Sequence, residues 1–166
     1  MTDRSDPLPH LLAVAQAVRR EGQPRATFAA LQAGMGAAIG QILFTVLLHH
    51  ADSGESERVW TSHPTQYPVG GRKPLNPTPW TRQVLRDLRA YVGHTAEDIR
   101  AVFADHALIA SLGCESVLNV PVVWNGRALG TLNLLHRAHW YRETDVPVAE
   151  AFAALAVPAY QMLLHR

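Results

Sequence analysis

The chain has 166 residues, 48% of them hydrophobic, with 15 Lys and Arg against 14 Asp and Glu for a net charge of +1. That length predicts one domain with its own core and no fused effector domain, while the near-neutral, scattered charge excludes the basic footprint of a nucleic-acid binder and argues against an acidic membrane as partner. A single cysteine excludes an internal disulfide framework; with a polar start from Met1 to Pro9 and no run read as long enough for a bilayer span, the expected location is the cytoplasm.

Asp6 and Pro7 are set to start a first helix whose Leu8, Leu11, Leu12, Ala15 and Val18 form one stripe, stopping at Gly22. A second helix begins near Pro24 and carries Phe28, Leu31, Met35 and Ile39 on one face. Gly34, Gly36 and Gly40 in it either permit close packing or mark its end. Ile42 to His50 reads as a buried strand, Ala51 to Gly54 as a turn, and Arg58 to Ser62 as the returning strand. His63 to Pro79 contains five prolines and Gly70-Gly71. A loop of that length is usually functional or disordered, and Tyr67, Val69 and Leu75, flanked by Trp60 and Trp80, make it too apolar for a solvated linker, so an ordered lid is expected.

Thr78 and Pro79 open a helix to about Leu88, and Ala90 to Val92 is a short strand. Thr95 with Asp98 is a form of capping box ahead of Ile99, Val102 and Phe103, and Asp105 to Leu112 adds a turn or two of helix before Gly113. Two apolar, β-branched runs then meet at Asn125-Gly126, the dipeptide best able to hold φ > 0 at both central positions of a type I′ turn. An unbroken register from that turn pairs Trp124 with Arg127, Val120 with Thr131, Asn119 with Leu132, Leu118 with Asn133 and Glu115 with His136. Asn119 and Asn133 thereby point to opposite faces, so at most one of them reaches a given site. Both faces of the hairpin are mostly apolar, which requires a cover on each side. Thr144 is set to cap a long final helix carrying Val148, Phe152, Leu155, Tyr160 and Leu163, with a kink at Pro158.

The Gly113-x-x-Ser116 start, the Val120-Pro121-Val122 strand, the Gly126 turn, the segment Leu129-Gly130-Thr131-Leu132-Asn133-Leu134-Leu135 and the helix after it resemble the GAF domain, a small-molecule sensing module. The resemblance runs from about Thr27 to the C-terminus. It implies an α+β fold: a central antiparallel β-sheet with long N- and C-terminal helices on one face and, on the other, a pocket formed by loops and short helices. It implies neither one ligand nor one activity. It also implies association through helices, so residues 1–22 are assigned to a helical dimerisation element and 23–166 to the GAF-like domain, with a homodimer through the terminal helices expected.

The chemistry on offer is a binding site rather than a reaction centre. The candidate ligand-binding residues are Trp60, Tyr67, Arg72, Trp80, Asp105, Ser111, Asn119 and Asn133, with the ligand between the sheet and the 60–80 lid. Arg72 and Lys73 follow Gly70-Gly71 in an aromatic setting, the arrangement for clamping a carboxylate or phosphate beside an apolar body, so a small, partly apolar anion with Arg72 as charge partner is expected. Of Trp60, Tyr67, Trp80 and Trp140, at least two are expected in the core. No cofactor and no metal are expected: His136 and His139 with Glu115 fall short of a convergent donor set, and His49-His50 face opposite ways along a strand.

The alternative is an enzyme on the same scaffold using Cys114, His106 or His136, such as a free methionine-(R)-sulfoxide reductase-like or other redox activity. That family's motif places its catalytic cysteine upstream of the strand-opening Ser, where this chain reads Ile109-Ala110-Ser111, and no second cysteine is present to resolve an intermediate. A lone buried Cys is more often a small hydrophobe. The Asn-Lys…Phe…Asp-Glu constellation of cyclic-nucleotide-binding GAF domains is absent, and bilin attachment has no support.

Overall fold

A computed structural model describes residues 3–166. In chain order the elements are α1 (Leu8–Val18), α2 (Arg25–Ala38), β1 (Leu43–His50), β2 (Glu55–Thr61), β3 (Arg72–Pro74), α3 (Pro79–Thr81) running into a π-helical turn (Arg82–Arg86), β4 (Tyr91–Gly93), α4 (Ala96–Val102), α5 (His106–Ser111), β5 (Ser116–Trp124), β6 (Arg127–His136) and α6 (Asp145–Leu164). The strands form one six-stranded sheet in the order β3-β2-β1-β6-β5-β4, and every neighbouring pair is antiparallel.

The two-sided apolar pattern of β1, β5 and β6 is met by a cover on each face. On one side α2 and α6 lay Phe28, Leu31, Met35, Phe152 and Tyr160 against Phe44, Val46, Val120, Leu132 and Leu134, all buried. Packing on this scale is the main stabilising contribution, each fully buried large side chain being worth about 1.5–3 kcal/mol. Tyr160 brings its hydroxyl into that layer without loss because it donates to the Thr131 carbonyl at 2.8 Å. Val14 and Ala17 of α1 are buried against α2 and α6, leaving Leu8 and Leu12 exposed. On the opposite face a smaller cluster of Leu43, Tyr67, Ile99, Ile109, Cys114, Val117 and Leu135 sits under the lid and α4 and α5.

Local chemistry accounts for the element ends. Asp6 accepts from the Leu8 N–H at 3.0 Å at the start of α1, which ends at Val18, short of Gly22. Thr95 and Asp98 form a reciprocal capping box on α4. Thr144 makes no cap bond; Asp145, the first residue of α6, instead ties the preceding segment to the N-terminus, accepting the Arg142 N–H at 2.9 Å and the Arg4 guanidinium at 2.9 Å through both oxygens. α6 continues through Pro158 to Leu164, and by length and composition it is long and apolar enough to cross a membrane, contrary to the expectation that no run reaches that length. Here its Ala149, Phe152, Ala153, Ala156 and Tyr160 pack into the domain core.

The hairpin departs from the expected register in a way that shapes the functional face. Asn125 and Gly126 hold φ of 50° and 72°, as the type I′ turn demands. Beyond the turn, however, Val123 pairs with Ala128 and Val122 with Gly130, so Leu129 is an extra, bulged residue. Gly130 makes the bulge feasible: its φ is +153°, and a Cβ there would stand 1.9 Å from the Leu47 carbonyl oxygen. Past the bulge every pair shifts by one residue. Asn119 pairs with Asn133, Leu118 with Leu134, and Ser116, not Glu115, with His136.

Candidate functional site

That shift turns both asparagines toward the lid, correcting the expectation that they face opposite ways. Across β1, β6 and β5, Thr45, Asn133 and Asn119 lie in one row, and they satisfy one another. Trp80 Nε1 donates to Asn119 Oδ1 at 3.0 Å, Asn119 Nδ2 to Asn133 Oδ1 at 2.7 Å, and Asn133 Nδ2 to Thr45 Oγ1 at 3.2 Å. Amides this deeply buried would otherwise cost several kcal/mol each. The ladder therefore anchors Trp80, at the start of the helical segment over the sheet, to the sheet itself.

Between sheet and lid lies a cavity of about 530 Å³, within the usual size range of small-molecule sites. Its body is apolar, with Leu47, Leu85, Val102, Phe103, Ile109 and Leu135 among its walls, and Trp80 meets Phe103 edge to face at 6.0 Å. A smaller cleft of about 260 Å³ adjoins it and shares His49, Leu75, Asn76, Thr81 and Leu85. Of the expected binding residues, Tyr67, Trp80, Asp105, Asn119 and Asn133 line the main cavity.

Trp60, Arg72 and Ser111 do not. A second bulge, in β2, explains the first: Val46 pairs with Trp60 but Leu47 pairs with Arg58, so Val59 is extra and strand alternation is broken there. Trp60 turns to the helix face, packing on Phe28 with ring centroids 6.1 Å apart and donating to Gln32 Oε1 at 2.9 Å. Arg58 stays on the cavity face. In β3, Lys73 pairs with Ser56 and lines the cavity, while Arg72 pairs with Glu57, is half exposed, and holds Glu57 at 3.7 Å on the opposite face. Ser111 is exposed on α5, its hydroxyl donating to the Leu108 carbonyl at 2.6 Å. Trp140 is also elsewhere, stacked on His136 at 3.7 Å with 3° between the rings and donating to the Ile39 carbonyl.

Arg58 joins three segments. Its Nη1 donates to the Pro68 carbonyl at 2.9 Å, its Nη2 lies 3.5 Å from Asp105 Oδ2, and its guanidinium carbon lies 3.7 Å from the Tyr67 ring centroid. Tyr67 in turn donates its hydroxyl to Asp105 Oδ2. Burial, reinforced by that carboxylate, holds the Tyr67 phenol far above its ordinary pKa, so it remains a donor. The lid is thus ordered, as its apolar content implied, and is tied to β2 and to the loop between α4 and α5. Asp105 precedes α5 without capping it, because its carboxylate is engaged by Tyr67 and Arg58.

Among the described residues, five buried side-chain polar atoms have no hydrogen-bond partner, and three of them belong to residues of this cavity: Arg58 Nε, Thr131 Oγ1 and His49 Nδ1. The sequence pattern marks neither Arg58 nor Thr131 as a site residue; it offers Lys73 beside Arg72 as an anion clamp, and His49 only in a pair whose members face opposite ways. The signal that bears on them is the isolated Gly130 in an apolar strand, readable as a bulge; the β2 bulge has no such mark. His49 is held below its ordinary pKa by burial foremost, with His50 beside it.

The catalytic alternative fares differently. Cys114 is 1% exposed and lies in the cluster of Leu43, Val117 and Leu135 rather than on the cavity wall, and burial pushes its thiol up to about 11. His136 is occupied by Trp140 and by the Arg137 N–H, at 2.8 Å, while His139 stacks on His94. Among the described residues no three His, Cys, Asp or Glu converge as a metal site.

Comparison with known proteins matches the GAF domain profile to residues 25–159. The chain belongs to the GAF domain family. The phycocyanobilin-bound GAF domain from a cyanobacterial phytochrome superposes with a TM-score of 0.73 at 16% identity, covering 99% of this chain and 99% of that one. The GAF domain from an Acinetobacter phosphoenolpyruvate-protein phosphotransferase gives 0.73 at 12% identity over 93% and 92%. The free methionine-R-sulfoxide reductase from Neisseria meningitidis, in complex with its substrate, gives 0.70 at 19% identity over 97% and 94%. At these identities the likeness is one of fold. No curated protein matches the sequence.

Proposed function

We propose that this GAF domain is a cytoplasmic, non-catalytic sensor that binds a small, partly apolar molecule between the sheet and the 60–80 lid. The observation that carries the reading is the half-open, largely apolar cavity whose wall includes residues with buried, unpartnered polar atoms, since such atoms are costly unless something completes them. Cys114 lies off the cavity, which favours binding over thiol chemistry. Native mass spectrometry of the purified protein, followed by thermal-shift titration with whatever it retains, tests the reading: saturable stabilisation without turnover is expected, and conversion of the bound molecule, abolished in Cys114→Ser, would overturn it. The same reading includes a homodimer through the terminal helices, supported by Leu8 and Leu12 standing exposed one turn apart on α1 and Met162 exposed on α6. A light-scattering mass of one chain at micromolar concentration, unchanged by deleting residues 1–22, would remove that part.

A further inference from the structure

The unpartnered atoms of the cavity are not scattered. Thr131 and Arg58 flank Leu47 in one cross-strand row, and His49, Ser56 and Lys73 form the next cavity-facing row, about 7 Å further along the strands. The saturated amide row of Thr45, Asn133 and Asn119 lies on the other side. One end of the cavity is therefore complete, and the other lacks partners.

Arg58 is incomplete in a particular way. Its Nη1 is used by Pro68, but the side-on edge formed by Nε and Nη2 has only Asp105, at 3.5 Å from Nη2, and nothing on Nε. That edge is the one a carboxylate engages with two parallel hydrogen bonds. The ionic groups on the wall are Arg58 and Lys73 against Asp105, with His49 held neutral by burial. The balance is one uncompensated positive charge, which a monoanion cancels and a dianion exceeds. Thr131 Oγ1 and His49 Nδ1 add capacity for one hydrogen-bonding substituent away from the charged group.

We propose, building on the cavity as the binding site, that its ligand is a monocarboxylate with an apolar body and one hydrogen-bonding substituent. The carboxylate takes the Nε and Nη2 edge of Arg58 in place of Asp105, and the substituent meets Thr131 and His49. Arg58 thereby replaces Arg72 as the charge partner, and Asp105 acts as the internal competitor that the ligand displaces.

The test uses para-hydroxyphenylacetate, its neutral counterpart tyrosol, phenylacetate and para-hydroxybenzylphosphonate, titrated into the full chain by calorimetry. The acid is expected to bind roughly ten- to hundredfold more tightly than tyrosol, the range for a net gain of one hydrogen bond to a charged group once Asp105 is displaced, and more tightly than the phosphonate. Arg58→Gln should bring the acid-to-tyrosol ratio close to one, and Arg58→Lys, which keeps the charge without the side-on edge, should lower it too if the first variant fails to fold. Asp105→Asn should raise acid affinity several-fold, and Thr131→Val should reduce the preference for para-hydroxyphenylacetate over phenylacetate. Tyrosol binding as well as the acid, tighter binding of the phosphonate, or an Asp105→Asn variant with no gain for the acid overturns the carboxylate assignment while leaving the cavity as a binding site. Failure of every probe to bind wild type overturns both.

Discussion

The pairing of Asn119 with Asn133 exists only if Leu129 is bulged, so a double-mutant cycle on the two amides tests the register directly. In Asn133→Ala the bonds from Asn119 Nδ2 at 2.7 Å and to Thr45 Oγ1 at 3.2 Å are lost, and the Asn119 donor is left without a partner at 1% exposure. Two lost bonds at about 1 kcal/mol each, plus about 1–3 kcal/mol for a buried unmet donor, predict destabilisation of about 3–5 kcal/mol. For a domain of this size that corresponds to a fall in Tm on the order of 10 °C. Asn119→Ala should behave similarly, because it leaves both Asn133 Oδ1 and Trp80 Nε1 without partners. The double variant removes donor and acceptor together, and should cost less than the sum of the singles by about 1–2 kcal/mol. Urea denaturation of all four proteins, with the slope checked for constancy, provides the measurement. In the unbulged register the two amides lie on opposite faces with no shared partner; additivity within about 0.3 kcal/mol would refute the pairing.

Gly130→Ala should cost about 3 kcal/mol or more, because its Cβ would meet the Leu47 backbone oxygen at a φ that disfavours L side chains; a Tm within a degree or so of wild type would contradict the bulge. Cys114, with its thiol raised to about 11, should resist alkylation at pH 8 in the native protein and react fully once unfolded. Cys114→Ala should cost on the order of 1 kcal/mol with ligand affinity retained, and rapid native labelling would oppose both statements. Because burial lowers the folded-state pKa of His49, the unfolded chain takes up the proton first, so this contribution to stability is present above the ordinary value of 6.5 and is lost as pH falls below it. His49→Gln should flatten that part of the stability profile, and a profile identical to wild type from pH 7 to 5 would show that His49 does not carry it.

The parts of this fold legible in the sequence are those set by local pattern. The helical stripe around Phe28 and Leu31, the capping box at Thr95 and Asp98, and the Asn125-Gly126 turn each place their element correctly, because periodicity and turn chemistry act within a few residues. The family resemblance supplied the arrangement of layers. The site was less legible because two single-residue bulges decide it, and each is favoured by tertiary contacts that propensity does not encode. β3 is three residues long and carries no apolar pattern, so nothing in its composition distinguishes it from loop; its pairing with Glu55, Ser56 and Glu57 decides that Lys73, not Arg72, faces the cavity.

The β2 bulge shows why an aromatic residue was a poor guide to the site. Arg58 and Trp60 are two residues apart, and regular alternation would put both in the cavity, where a bulky indole would occupy the space beside the guanidinium. Val59 sends them to opposite faces, so the same short segment provides a core anchor through Gln32 and Phe28 and a buried cation through Pro68 and Asp105. The two roles are coupled by geometry. Were Val59 paired regularly instead of bulged, Arg58 and Trp60 would share a face, forcing either Trp60 into the cavity or Arg58 into the apolar helix layer, where an unpaired guanidinium costs several kcal/mol. The bulge is thus the condition for Arg58 to face the cavity while Trp60 anchors the helix layer, and a one-residue irregularity is what separates the cation from the indole.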